Sequence, residues 1–256
     1  MSFDRAFRPA ADLLADRVLL VTGAGDGIGR AAARAFAAHG ATVIGIGRTV
    51  SKLESLYDEI VAAGHPEPVI QGVDLSGVSD DDCRRLAEAT GGQFGRLDGV
   101  LHNASLLGPR LPLERYDADE WRRVMATNLD SNFLLTRALL PWLEDGRDPL
   151  VLFTSSGAGL RPRAYWGAYA VSKAGIEALM RVFADELENV SPIRCASINP
   201  GGTRSAMRAA AFPGEDPGTL PTPEQLMPLY LWLFGAASKE QSNGVTFDAR
   251  ELLGLG

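Results

Sequence analysis

Short runs that are apolar on both faces alternate along the chain with longer stretches in which apolar residues recur every three or four positions. The runs are RVLLVT (17–22), ATVIGI (41–46), PVIQGV (68–73), LDGVLH (97–102), LVLFT (150–154) and IRCASI (193–198), and GVTFDA (244–249) offers a short seventh. Runs that are apolar throughout, without strict alternation, fit strands covered on both faces of a parallel sheet. At least 18 residues separate each run from the next, enough for a crossover helix. With right-handed crossovers the pattern predicts an α/β chain: one doubly wound parallel sheet of about seven strands with helices on both faces. The domain is expected over 17–256. Residues 1–16 are read as an N-terminal arm whose Phe3, Phe7, Leu13 and Leu14 pack on the domain or on a partner subunit.

Helix starts are marked by acids at capping positions. Ser79 with Asp82, and Asp117 with Glu120, both have the spacing of a capping box, in which the third residue answers unpaired backbone donors. The run Asp80, Asp81, Asp82 is therefore read as charge favoured at a helix N-terminus, not as a metal site. Long helices are expected over 117–143 and 167–189. AFPGEDPGTLPTPEQ (211–225) reads as an extended loop, the core of a lid over about 204–225.

Composition narrows the function classes. The 256 residues carry 25 basic and 32 acidic side chains, a net charge of −7 with the bases dispersed, which argues against a nucleic-acid partner. Cys83 and Cys195 have no CxxC spacing and no histidine beside them, so neither a disulfide framework nor a zinc site is expected. No run reaches the roughly 18 apolar residues of a membrane span, and the first residues are charged, so the expectation is a cytoplasmic protein.

Two constellations carry chemistry. In VTGAGDGIGRAAARAF a glycine-rich turn follows the first strand and opens a helix. There Gly23 permits a tight turn, Gly27 lets a pyrophosphate approach the backbone, Gly29 lets the helix pack on the sheet, and the helix N-terminus supplies donors. This is the pattern of a Rossmann-like dinucleotide site. In the second, Tyr169 and Lys173 stand four apart on a predicted helix and share one face. An ammonium there is expected to stabilise phenolate and lower the tyrosine pKa, making Tyr169 an acid/base. Five tyrosines and three lysines in 256 residues give 5 × 3/256, about a 6% chance of such a pair, so its weight comes from the company it keeps.

That company resembles the short-chain dehydrogenase/reductase family. The Thr-Gly-x-x-x-Gly-x-Gly spacing, HNAS (102–105), Ser156 thirteen residues before Tyr169, and PGGTRSAM (200–207) resemble the family's motifs over roughly residues 17 to 250. LDGVLHNA, WGAYAVSKAG and MPLYLWLFG resemble more narrowly its bacterial YciK-type group of oxidoreductases. The resemblance implies that Ser156 binds the substrate oxygen, Tyr169 exchanges its proton, Lys173 holds the nicotinamide ribose, and Asn128 holds a water that links Lys173 to solvent. It implies a cofactor wall of Thr22, Asp26, Ile28, Asp74, Leu75, Asn103, Ala104, Pro200, Gly201 and Thr203 together with the three turn glycines. The second strand ends GIGRT: the acid that selects NAD is absent and Arg48 is present, so NADP(H) is expected ahead of NAD(H), although Asp26 would oppose a nearby phosphate. Ser105 replaces a usual glycine, and TFDAR replaces a usual Val-Asp-Gly-Gly ending. His102 is read as a core histidine.

The expected activity is interconversion of a carbonyl and an alcohol by hydride transfer. The alternatives are a 3-oxoacyl reductase-type enzyme or a dinucleotide-binding redox regulator without turnover. Leu106, Leu107, Trp166 and Met207 flank the inferred site; Arg161, Arg163 and Arg204 either favour an anionic substrate or are solvated surface charge. By resemblance, the two long helices pair subunits into a homodimer or homotetramer.

Overall fold

The computed structural model describes residues 3–255. Along the chain the elements are β1 (Val18–Thr22), α1 (Gly27–Ala38), β2 (Thr42–Gly47), α2 (Val50–Ala62), β3 (Val69–Gly72), α3 (Asp80–Phe94), β4 (Gly99–His102), α4 (Ala118–Met125) and α5 (Ser131–Glu144). They continue with β5 (Leu150–Thr154), α6 (Gly157–Leu160), α7 (Gly167–Leu187), β6 (Arg194–Asn199), α8 (Ala206–Ala211), α9 (Pro223–Phe234), β7 (Val245–Asp248) and α10 (Ala249–Leu253). Among the described residues one seven-stranded sheet forms, in the order β3-β2-β1-β4-β5-β6-β7, and every pairing is parallel. The expected doubly wound fold is thus present. The strand order reverses between β1 and β4, and a crevice opens beyond their C-terminal ends.

Side chains alternate across the strands and so feed two cores. Leu19 and Val21 of β1 and Leu150 and Leu152 of β5 face one layer, with α1, α2 and α9. Val18, Leu20, Val151 and Phe153 face the other, with α3, α5 and α7. Burying each such side chain contributes roughly 1.5–3 kcal/mol, which is why these strands tolerate so few polar positions. α1 is rich in small residues, and its buried stripe Ala32, Ala33 and Phe36 lies close on the sheet, with the Phe36 ring 4.8 Å from that of Phe234.

Several local expectations are met and some are corrected. Ser79 and Asp82 form the full capping box on α3. Asp117 caps α4 through the amides of Asp119 and Glu120, but Glu120 turns to Arg123 and does not return to the cap, so only half of the expected box exists. A third box, Thr222 with Gln225, opens α9 on the same spacing, in the run T-P-E-Q. The first long helix is interrupted by a π-helical turn at Ala126–Asp130. The expected loop over 211–225 begins with the last residue of α8 and contains a 3₁₀ turn at Pro217–Thr219. Arg204 braces that segment by donating to the carbonyls of Pro217 and Leu220.

Residues of the expected arm pack on their own chain. Phe3 packs edge-on against Trp232, Leu14 is fully buried, and Arg5 donates to the Glu251 and Leu252 carbonyls of α10.

Asp98 ties the N-terminal ends of three strands. Its fully buried carboxylate accepts from the amides of Val18 at 2.7 Å and Arg147 at 2.6 Å, and from Arg96 Nε at 3.2 Å. Asp98→Ala leaves two backbone donors unanswered and is expected to lower unfolding free energy by about 2–4 kcal/mol in chemical denaturation; an unchanged midpoint would show that the carboxylate does not hold this edge of the sheet.

Candidate active site

A cleft of about 530 Å³ lies over the C-terminal ends of the central strands. Beneath it the fully buried Thr22, which does not itself line the cleft, accepts through Oγ1 from the amides of Asn103 at 2.9 Å and Ala104 at 3.0 Å, clamping the end of β1 to the end of β4. The chain then turns through Gly23 at φ +70° and Gly27 at φ +51°. A side chain at Gly29 would meet the Gly23 carbonyl oxygen at 2.3 Å, so only glycine lets α1 start this close to the turn. At Gly27 the first atom met would be Ser205 Cβ at 3.7 Å, which leaves the backbone open to a ligand.

Asp26 caps α1 through the Gly27 amide and forms an ion pair with Lys52. The Lys52 hydrogen bond, then that of Gly27, holds its carboxyl below the usual range. The negative charge that seemed to oppose a phosphate is thus neutralised inside the cleft, by a lysine that sequence reasoning missed. Arg48 is exposed at the end of β2 and lines the same end. Asp74 is held ionised mainly by the Ser76 amide and hydroxyl, both of which bond its Oδ1. Ile28, Leu75, Asn103, Ala104, Pro200, Gly201 and Thr203 all line the cleft as well, with the Thr203 hydroxyl turned back to the Pro200 carbonyl at 3.2 Å.

At the other end stand Ser156, Tyr169 and Lys173. Ser156 caps α6 through the Ala158 amide and lies beside the Tyr169 hydroxyl, whose pKa it pulls down. One helical turn beyond Tyr169, the Lys173 ammonium donates to the Thr154 carbonyl at 2.7 Å and lies 5.8 Å from the centre of the phenol ring. Both side chains are buried. Burial lowers the lysine to about 8 and raises the tyrosine, with Ser156 pulling the tyrosine partly back. The direction is opposite to the lowering expected from Lys173: desolvation of the phenol is the main cause and pushes it up.

Asn128 lies on the π-helical turn, and its amide is engaged by protein. Oδ1 accepts from the Leu106 amide at 2.7 Å, while Nδ2 donates to the Leu106 carbonyl at 2.9 Å and to Ser172 Oγ at 3.0 Å. Both amide hydrogens are used, so this side chain braces the loop after β4 against α7, and the expected water has at most Oδ1 to bind. Ser172, its partner, was not singled out from the sequence.

Four buried hydroxyls that line the cleft have no hydrogen-bond partner among the described residues: Ser105, Thr127, Thr154 and Ser155. Orphaned buried hydroxyls are costly unless a polar ligand answers them. With the open backbone at Gly27 and the exposed Arg48, they fit a large, polar, anionic cofactor. Thr127, Thr154 and Ser155 carried no distinguishing signal in the sequence. Other candidates stand apart from this chemistry. His102 is buried, stacked on Phe153, bonded through Nε2 to Thr136 Oγ1 at 2.8 Å and lowered to about 3 by burial. Cys83 and Cys195 are buried and raised to about 11 and about 12. Arg161, Arg163 and Arg204 are not among the residues lining the cleft. No group of metal-ligating side chains occurs among the described residues.

Comparison with known proteins agrees with this geometry. The family model for short chain dehydrogenases matches residues 17–216. The chain belongs to the short-chain dehydrogenase family. It is 47% identical over 244 residues to an uncharacterized oxidoreductase, YciK, of Escherichia coli, covering 95% of this chain and 96% of that one. Its fold superposes with a TM-score of 0.93 on a putative short chain dehydrogenase of Pseudomonas syringae, at 48% identity over 97% of this chain and 100% of that one. A short chain dehydrogenase of Shigella flexneri, solved in complex with NADP, gives 0.91 at 47% identity, over 94% of this chain and 100% of that one.

For this short-chain dehydrogenase, Asn128→Ala leaves the Leu106 amide and carbonyl unanswered. It is expected to lower stability by about 1–3 kcal/mol and to speed amide exchange at Leu106. Exchange at the wild-type rate would remove Asn128 as the brace of this loop.

Proposed function

We propose that the chain is an NADP(H)-dependent oxidoreductase that interconverts a carbonyl and an alcohol, with Tyr169 as the acid/base. The observation that carries this reading is the Ser156–Tyr169–Lys173 set, its phenol and ammonium buried, beside a glycine turn within one cleft. The NADP held by the Shigella flexneri relative supports the cofactor, as does Arg48 at that end of the cleft. When bound, the nicotinamide supplies or accepts the hydride.

Gly27 and the start of α1 would receive the pyrophosphate, Arg48 the 2′-phosphate, and the segment from Pro200 to Thr203 the carboxamide side. In reduction, Ser156 donates to the substrate oxygen and Tyr169 delivers its proton as negative charge develops there. The nearby Lys173 ammonium then stabilises the phenolate left behind. Oxidation runs the same path in reverse. The phenol, raised by burial, stays protonated through neutral pH and is ready to donate; the lysine, lowered to about 8, is mostly charged below that value. Retention of both side chains favours turnover over a purely regulatory dinucleotide-binding role. The segment over about 204–225 acts as the lid. No described helix is long and apolar enough to cross a membrane, and we place the enzyme in the cytoplasm. Phe133 of α5 and Val171 and Val182 of α7 are exposed apolar residues suited to pairing subunits as a homodimer or homotetramer.

Two variants test the reading. Tyr169→Phe should reduce kcat for NADPH oxidation with a carbonyl substrate by about 10²–10⁴-fold while NADPH still binds; a persisting rate would sink the assigned acid. Arg48→Ala should weaken NADPH binding by roughly tenfold to a hundredfold, the loss of one or two charge-assisted hydrogen bonds, and leave NADH binding unchanged. An equal effect on both cofactors would remove Arg48 from 2′-phosphate recognition.

A further inference from the structure

The substrate end of the cleft is walled by aromatic rings that run from the catalytic phenol outward. Trp166 lies 5.8 Å from Tyr169 and 5.8 Å from Phe212, each pair tilted by 46°. Two guanidinium groups fix Phe212. Arg208 stands 3.8 Å from its ring centre, and Arg110 stands 5.1 Å from it and 4.8 Å from that of Trp166. Arg110 also donates to the Ala211 carbonyl at the end of α8, so one side chain couples the loop after β4 to the lid and to both rings. Such contacts orient rings as well as attract them.

The charged side chain that lines this end of the cleft is Arg208; Arg110 and Arg204 are not among the lining residues. The Arg208 guanidinium forms a two-pronged pair with Glu215, both bonds 2.6 Å. Arg204 is used on lid carbonyls. A carboxylate or phosphate on the substrate would have to break the Arg208–Glu215 fork before gaining a partner there, while Glu215 itself would repel it. The other surfaces here are apolar, from Leu107, Met207 and Ala211.

We propose that the substrate is an uncharged ketone or aldehyde with a flat aryl or alicyclic ring laid against Trp166 beneath Phe212, and that Arg110 is the positioning residue that holds those two rings for it. This rests on the carbonyl chemistry proposed above, and sharpens it against an anionic or acyl-carrier substrate.

The test uses binding, so that it does not depend on turnover. Tyr169→Phe protein saturated with NADPH is titrated with three carbonyl compounds, followed by ligand-observed NMR. They are a neutral bicyclic aryl ketone, the same ketone bearing a ring carboxylate, and a linear acetoacetyl thioester. The neutral ring ketone should bind at least about tenfold more tightly than either of the others, the scale of a stacked ring together with a charge left unpaired. Adding Trp166→Leu or Arg110→Met should weaken the ring ketone severalfold and leave the thioester and NADPH affinities unchanged; a merely structural loss would lower all three. Tighter or equal binding of the carboxylate or thioester overturns the proposal. So does ring-ketone affinity unmoved by both substitutions, or failure of all three compounds to bind. Should the ring ketone bind as expected while the wild-type enzyme oxidises no NADPH with it, the proposed activity fails and the pocket assignment stands. Turnover of linear carbonyls with no ring binding overturns the pocket assignment and leaves the proposed activity standing.

Discussion

A lysine ammonium buried between α7 and the end of β5 organises the centre of this molecule. Lys173 donates to the Thr154 carbonyl, and its neighbours are arranged around that bond. Gly159 on α6 has no side chain because a Cβ there would fall 2.6 Å from the Lys173 backbone, so α6 and its cap Ser156 sit hard against α7. Tyr169, one turn earlier on the same helix face, is thereby brought to the Ser156 hydroxyl. The arrangement has a cost: desolvation destabilises the ammonium and moves its pKa to about 8. A proton site near neutrality is the chemical return on that cost.

The cleft around this lysine has two ends of different character. One is a polar cradle built at the strand-order switch point, where Thr22 clamps β4 to β1 and Asp26 is neutralised by Lys52. The other is an aromatic wall whose cleft-lining Arg208 is paired with Glu215. Tyr169 stands between them. On the proposed function, a dinucleotide on one side of Tyr169 and an apolar surface on the other define the reaction more narrowly than either half alone.

Much of this was legible in the sequence because it is local or periodic. Two-faced strands read as unbroken apolar runs, the Ser79 cap as a spacing, and the Tyr169–Lys173 pair as one helical turn. The glycine turn was legible because steric demands act between near neighbours. What escaped was set by contacts across the chain. Lys52 meets Asp26 across 26 positions, Arg110 meets Ala211 across 101, and Asn128 meets Ser172 across 44. The π-helical turn at Asn128 has no residue signature, since packing between α4 and α7 fixes its register. The direction of the Tyr169 shift escaped for a related reason: a helix face reveals the neighbouring charge but not the loss of water around both groups.

The central proposal is that burial of Lys173 sets the pH at which Tyr169 works as acid/base. Its most direct test is kcat/KM for carbonyl reduction between pH 6 and 10 at saturating NADPH, with roughly one pH unit of tolerance on the midpoint. The expected profile is a plateau at low pH and a fall as pH rises through about 8, where Lys173 loses its proton and no longer stabilises the phenolate. A profile that stays level to pH 10, or one that rises with pH, would contradict it.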